Sequence, residues 1–245
     1  MSIAGVFAPK RFSRLILSDA QNVARDPILA FAVVLAIVPA ILLPVFREQM
    51  DQAALEGLGI TGLSRYAGAV ALALPAGLIG WVTGFLLLED RDDGPLLAME
   101  ITPIGKSGFL AYRVAVAATI GFAVGFGTAL AVIPGIGWGL AGLLGLFVGI
   151  ETVTIAFVLL ALAANKVEGL AVTKLTNIGS IVPLVAIIAW PGRYLAGVVP
   201  SFWIGEVLGL SSEAWLPLWL ASLIGLGVHA GVAALTFAAA SRRIG

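Results

Sequence analysis

The chain has no cysteine, a single histidine and few charged residues. Without cysteine there is no disulfide framework, no thiolate nucleophile and no cysteine metal site. One histidine cannot pair with a second imidazole, so we predict no bound metal and no cofactor held by this chain. Charged residues make up 11% of the 245 residues, and the formal net charge is zero. This balance gives no reason to expect a nucleic acid as a partner.

Apolar residues dominate the composition. They form 60% of the chain, and the mean hydropathy is +1.06, far above that of soluble domains. A hydrocarbon core of roughly 30 Å is crossed by ~20 apolar residues in a helix, which leaves room for six spans. We place them at residues 28–46, 66–88, 109–133, 136–163, 170–190 and 215–240. The predicted fold is therefore an all-α, multi-pass membrane protein.

The lysines and arginines predict the orientation. Of the 14 in the chain, three (Arg47, Arg65 and Arg193) fall on the side opposite the two termini, and the other eleven share the side of the termini. Because positive residues are retained on the cytoplasmic side, we expect cytoplasmic N- and C-termini in an inner or plasma membrane. The predicted outer ends also carry most of the indole rings, which favour the headgroup region: Trp138, Trp190, Trp203, Trp215 and Trp219.

Residues 1–27 are predicted to form a basic helix in the plane of the membrane interface. They contain no long apolar run followed by a cleavage site, so we expect no removable signal peptide. Apolar residues recur at helical spacing, and Arg11, Arg14 and Arg25 fall on the other side. Such a helix serves either as a membrane anchor or as a docking surface. It should stop at Asp26 and Pro27, where residues 28–245 begin the six-span domain.

Residues 191–214, between the fifth and sixth spans, contain two short apolar pieces separated by Pro200. Each piece is too short to cross the membrane. We predict a re-entrant hairpin that dips in from the outer face, with an ordinary interfacial loop as the alternative.

Glu151 and His229 are the ionisable residues that we single out within the predicted spans. A charge at that depth is costly, so Glu151 should face protein, water or a partner, or be protonated. It lines a transport path, binds a cation or a proton, or is a neutral acid hydrogen-bonded to a neighbouring helix. A lone histidine such as His229 is more often a packed, hydrogen-bonded side chain than a ligand. We keep both residues as candidates for a substrate path.

Glycines recur at fourth positions in several spans and predict close helix packing, either within the bundle or, for some of them, at a subunit interface. These pairs are Gly80/Gly84, Gly121/Gly125, Gly145/Gly149 and Gly227/Gly231.

A different glycine pattern is misleading, because Gly105–Lys106–Ser107 copies only the end of a phosphate-binding P-loop. The position that needs the first glycine holds Glu100, and no strand is predicted before it. If the protein uses ATP, another polypeptide must hydrolyse it.

Residues 89–108 connect the second and third spans on the predicted cytoplasmic side. An acidic cluster there precedes a short amphipathic stretch, which suits a small exposed helix because acidic residues favour a helix N-terminus. This helix would offer a surface to a soluble partner. A solvated acidic loop is the alternative.

The same connection resembles that of type-2 ABC exporter permeases. That family has an acidic residue closing the second span, further acids and a glycine, a leucine-bearing helix and then Thr/Ser–Pro. The residues that fill these places are Glu89, Asp92, Asp93, Gly94, Leu97, Thr102 and Pro103. Residues 25–27 and 165–170 also look like the family's start of the first span and its link before the fifth. The link and the small outer loops look most like permeases of the fluoroquinolone-exporter kind.

The resemblance implies a half-transporter without catalytic residues of its own. It would pair with a second permease subunit and with two ATPase subunits, which would bind ATP and Mg. The seven residues of the connection, with Arg11, Arg14 and Arg25 of the N-terminal helix, would contact the ATPases. The substrate would be a hydrophobic small molecule, drug or lipid-like compound. The alternative is an ion- or proton-coupled secondary transporter that uses Glu151.

Overall fold

A computed structural model describes residues 9–92, 94, 101 and 105–244. Within these residues the protein is helical and contains no strand, as predicted. An N-terminal helix spans Pro9–Arg25. In the described part of the chain, six helical stretches are long and apolar enough to cross a membrane. Their bounds are Pro27–Leu58, Leu63–Asp92, Gly105–Val132, Trp138–Leu162, Lys166–Asn177 continued by a 3-10 helix at Ile178–Ile187, and Leu218–Ile244.

The boundary between the N-terminal helix and the first span lies where the sequence predicts it. The Asp26 carboxylate accepts hydrogen bonds from the backbone N–H groups of Ile28 (2.9 Å) and Leu29 (3.3 Å), and Pro27 occupies the first helical position. A side-chain cap followed by proline favours a new helix start. The chain therefore ends one helix at Arg25 and immediately begins another.

All six spans differ from the predicted bounds, and two of them differ in more than a few terminal residues or in geometry. The first continues beyond the apolar stretch to Leu58, because the polar residues that follow Phe46 still form good helical turns. The fifth begins earlier, at Lys166, and changes from α to 3-10 geometry at Ile178. Pro183 lies inside the 3-10 part and cannot donate a backbone hydrogen bond, which accounts for the irregular end.

The second and fourth spans form the centre of the bundle. In their apolar windows 72% and 78% of residues are buried, against 17–28% in the other spans. Glycines allow this packing: a Cβ added to Gly80 would lie 2.8 Å from Cβ of Ile155, and one added to Gly149 would lie 2.8 Å from the carbonyl oxygen of Ala118. The predicted packing is confirmed for the three glycine pairs in the second, third and fourth spans.

The fourth glycine pair behaves differently. Within the described part of the chain, a Cβ added to Gly227 or Gly231 would meet nothing within 4 Å. This pair therefore does not pack against another span of the same chain, and its place in a subunit interface stays a prediction.

Contacts at the two ends of the bundle show that consecutive spans alternate in direction up to the fifth. Asp26, Glu89 and Lys166 meet at one end, whereas Arg47 donates to the Val132 carbonyl oxygen (2.7 Å) at the other. The sixth span runs parallel to the fourth, because His229 stacks on Phe147 and Phe237 contacts Phe157. The N-terminal helix and the end of the sixth span consequently lie at the same end.

Residues 191–214, which we call the outer segment, contain a 3-10 helix at Pro191–Val198 and an α-helix at Phe202–Val207. Arg193 and Glu206 join the two helices through a buried ion pair of 3.0 Å, and Tyr194 donates to the same carboxylate oxygen (2.7 Å). The two apolar pieces thus form two short helices, and the re-entrant hairpin stays a prediction.

One indole does not fit the predicted interfacial belt. Trp138, Trp190, Trp215 and Trp219 are exposed, but Trp203 is buried and donates to the Gly197 carbonyl oxygen at 2.9 Å. Its N–H group is satisfied within the outer segment, so Trp203 packs as a core residue.

Candidate functional site

The predicted partner-binding connection begins at the end of the second span. Asp92 is exposed and forms an ion pair of 3.0 Å with Arg91, its neighbour. Gly94 follows with φ +84°, in the left-handed region that glycine commonly adopts just beyond a helix end. The predicted contact residues Asp93, Leu97, Thr102 and Pro103 lie outside the described residues.

Glu89 lies in a cluster of charges that joins three spans. Its carboxylate contacts the Lys166 ammonium group, which also contacts Asp26 at 2.9 Å. These residues come from the end of the second span, the start of the fifth and the cap of the first. The hydrogen bond from Lys166 holds the pKa of Asp26 below its ordinary value. The sequence prediction assigned Glu89 to a partner contact, and the structure places it against Lys166.

Arg113 forms a second and more deeply buried charge cluster. Its guanidinium lies 2.7 Å from the Asp90 carboxylate at the end of the second span and 2.7 Å from Asp19 of the N-terminal helix. Tyr112 donates to the same Asp19 oxygen at 2.7 Å. The N-terminal helix is thus held to the third span by an ion pair and by a hydrogen bond to a carboxylate, and Arg113 in turn binds Asp90 of the second span.

The structure describes the side chain of Arg25 in the N-terminal helix, but not those of Arg11 and Arg14. Arg25 is exposed in the last turn, where a cation complements the helix dipole. Arg11 and Arg14 lie in the helix, but their side chains are outside what the structure describes. The contact that these three residues were predicted to make with an ATPase stays a prediction.

Arg91 connects the start of the same connection to the fourth span. It donates to the carbonyl oxygens of Ala163 (3.3 Å) and Ala164 (2.7 Å), at the C-terminal end of that span. These carbonyls lack a helical partner, so the arginine both satisfies them and complements the dipole. Together, Arg91 and the two charge clusters link residues 89–92 to the first five spans and to the N-terminal helix.

An apolar cavity of about 460 Å³ lies beside the Arg113 cluster. The N-terminal helix and the first three spans enclose it, with Val23, Val33 and Val82 among the wall residues. The polar residues in its lining are Asp19, Thr83 and Arg113. A cavity of this size and composition suits an apolar molecule with a small polar end.

Glu151 and His229, the two candidates for a substrate path, are brought together by the fold. Glu151 Oε2 and His229 Nε2 are 3.9 Å apart, and both side chains are buried. Neither atom has a hydrogen-bond partner among the residues that the structure describes. The two residues therefore face each other across the contact between the fourth and sixth spans.

Sequence reasoning missed most members of the charge clusters as site residues. Arg91, Arg113 and Lys166 entered the sequence prediction only through the orientation of the spans or a family-like link. A signal was available for Asp19, which lies four residues after Leu15 and four before Val23, on the apolar side of the amphipathic helix. A charge on such a face requires a partner. The identity of that partner depends on the fold.

Comparisons with known proteins agree with this architecture. The family model described as "Fluoroquinolones export permease protein Rv2686c-like" matches residues 19–237. Fluoroquinolones export permease proteins from two Mycobacterium tuberculosis strains, CDC 1551 / Oshkosh and ATCC 25618 / H37Rv, are each 28% identical to the chain over 230 residues. The alignment covers 88% of this chain and 88% of each relative. No solved structure matches the chain.

Proposed function

The chain belongs to the Rv2686c-like family of fluoroquinolones export permeases, and from this membership we propose that it is the transmembrane permease subunit of an ABC exporter. A separate ATPase subunit hydrolyses ATP, and this chain carries the substrate path. Two ATPase subunits and a second permease subunit, identical or homologous, complete the transporter. The end of the bundle that holds Glu89 and both terminal helices faces the cytoplasm, in agreement with the distribution of lysine and arginine.

The observation that carries this proposal is the way residues 89–92 are fixed. Glu89 contacts Lys166, Asp90 contacts Arg113, and Arg91 caps the fourth span. A partner that pushes on the connection after Asp92 therefore acts on several spans and the N-terminal helix at once. Packed helices have discrete arrangements and do not deform continuously, so such a push can shift the bundle between inward-open and outward-open states.

The proposed substrate is a hydrophobic small molecule, drug or lipid-like compound. Export of fluoroquinolones is named for the relatives, and the apolar cavity beside Arg113 would accept the apolar body of such a molecule. The Asp19–Arg113 pair at its edge offers charged groups to a polar substituent. The cavity lies in the half of the bundle that is proposed to face the cytoplasm, and neither Glu151 nor His229 lines it.

Charge reversal at Asp92 tests the coupling. The side chain is exposed and its ion pair with Arg91 is local, so Asp92→Arg should leave the amount of folded, inserted protein unchanged. We expect substrate-stimulated ATPase activity of the reconstituted complex to fall, and to fall further when Asp93→Arg is added. The matched control is Glu48→Arg, which reverses an exposed acid at the other end of the bundle and should leave stimulation intact. Full stimulation in the Asp92→Arg complex would contradict the proposed contact.

A further inference from the structure

Glu151 lies where four parts of the fold meet. Its Oε2 atom faces His229 Nε2 of the sixth span at 3.9 Å. Its other oxygen is close to the fifth span and the outer segment: a methyl group placed on Gly179 would lie 4.0 Å from Glu151 Oε1 and 3.8 Å from Ser201 Oγ. Ser201 Oγ therefore lies next to the Glu151 carboxyl group. Glu151 is 5% exposed, and Ser201 and His229 are 0% exposed.

The backbone oxygens around this junction determine where the hydrogen atoms of its neighbours lie. His229 Nδ1 is 2.7 Å from the carbonyl oxygen of Gly225, and Ser201 Oγ is 2.7 Å from that of Gly179. A carbonyl oxygen only accepts hydrogen bonds. The Nδ1–H group of His229 must therefore donate to Gly225, and the hydroxyl of Ser201 must donate to Gly179. A neutral imidazole with its proton on Nδ1 presents a lone pair at Nε2. The serine oxygen likewise presents lone pairs to Glu151.

An ionised Glu151 would therefore face acceptors on both sides. It would be a buried carboxylate without a cation and without enough donors, which is strongly unfavourable inside a membrane protein. Among the described residues, His229 is the ionisable group that faces it. Of the charged residues in the outer segment, Arg193 and Glu206 are paired with each other, and Glu213 is exposed.

We infer that Glu151 is a buried proton-binding site and that it carries one proton at neutral pH. The carboxylic O–H group donates to Nε2 of His229 or to Oγ of Ser201, and each acceptor has the lone pair that this bond requires. A side-chain adjustment of about 1 Å brings Oε2 and Nε2 within hydrogen-bonding distance. Donated to Nε2, the proton pairs the two atoms that otherwise lack a partner among the described residues and joins the fourth span to the sixth. Donated to Oγ, it joins the fourth span to the outer segment.

A neutral pair is favoured over an ion pair by the same geometry. Moving the proton to Nε2 would create an imidazolium and a carboxylate with no solvent around them, and the Ser201 lone pairs would then face the negative charge. The inference concerns a proton alone, because the described residues include no group of three or more metal-ligating side chains. It does not depend on the exporter proposal.

The test uses the intact chain, reconstituted in lipid nanodiscs, and two spectroscopic signals. The infrared difference spectrum between the wild type and Glu151→Gln should contain the C=O stretch of a protonated carboxyl group across the neutral pH range. Because the chain has one histidine, ¹⁵N NMR of labelled protein reports His229 without assignment. It should show a neutral ring with the proton on Nδ1. Carboxylate stretches in the difference spectrum, or a doubly protonated imidazole, would overturn the inference.

Two further variants identify the acceptor. Ser201→Ala and His229→Gln each change one of the groups that faces the carboxyl, so at least one of them should shift the C=O stretch of Glu151. A stretch at the wild-type frequency in both variants would show that the proton is not held by these neighbours, and would overturn the assignment.

Discussion

Replacement of Arg113 by methionine tests how the N-terminal helix is held. Arg113 has a side chain that is 5% exposed, and its partners Asp90 and Asp19 are 13% and 19% exposed. Methionine keeps most of the apolar volume but leaves two carboxylates with no cation between them. Removing one partner from a buried ion pair costs about 3–5 kcal/mol. Since Asp19 retains some solvent, we expect a loss near the lower limit, about 3 kcal/mol.

The loss should be visible both in stability and in the position of the helix. Unfolding in mixed detergent micelles gives the stability difference. The chain has no native cysteine, so one cysteine at the exposed position Ser18 can carry a spin label that reports motion of the N-terminal helix. We expect the label to become more mobile in Arg113→Met. Arg242→Met, which removes an exposed arginine from the end of the sixth span, should cost no more than about 1 kcal/mol and leave the label unchanged.

Part of the stability lost in Arg113→Met should be recovered by further substitutions. Asp19→Asn together with Asp90→Asn removes the unpaired charges left by Arg113→Met, so the triple variant should be more stable than the single one. If Arg113→Met unfolds like the wild type and the label at position 18 keeps its mobility, the charge cluster does not anchor the helix and the reasoning is wrong.

Two other predictions concern the charge cluster at Lys166 and the glycine packing. Lys166→Met should cost only about 1 kcal/mol, because the cluster is partly exposed. It should also reduce the pH dependence that Asp26 gives to stability, and the backbone hydrogen bonds from Ile28 and Leu29 should keep part of it. Because the folded-state pKa of Asp26 is lowered, its contribution to stability is complete above the unfolded-state pKa and is lost as pH falls through the folded-state pKa. Unfolding measured against pH in the acid range checks both effects. Gly149→Val should cost about 1–3 kcal/mol, because its Cβ would lie 2.8 Å from a backbone oxygen of the third span. Gly227→Val has free space and is the matched control in thermal unfolding, where equal losses for both variants would contradict the packing account.

The spans and the first helix boundary were predictable because they depend on local sequence. Apolar length determines where a helix can cross a membrane, and Asp26 followed by Pro27 is a local start signal. The extension of the first span to Leu58 was not predictable from hydropathy, because the added turns are polar. The 3-10 end of the fifth span depends on the packing around Pro183, which local sequence does not contain.

The charge clusters show why the site was only partly predictable. The sequence identified Glu89 as important, but its partner Lys166 lies 77 residues later. Lys166 and Asp26 are 140 residues apart. Such pairs form when the ends of several spans meet, and a single sequence does not record which ends meet. Glu151 and His229 were identified separately for the same reason, since their depths in two spans were readable and their contact was not.

Purification in mild detergent is the most direct test of the central claim, that this chain is the permease of an ABC exporter. The chain would be tagged and isolated from its native membrane, all accompanying proteins identified by mass spectrometry, and the sample assayed for vanadate-sensitive ATPase activity. The account predicts an accompanying P-loop ATPase and activity that substrate stimulates. A chain that purifies alone, without ATPase activity, would contradict the account.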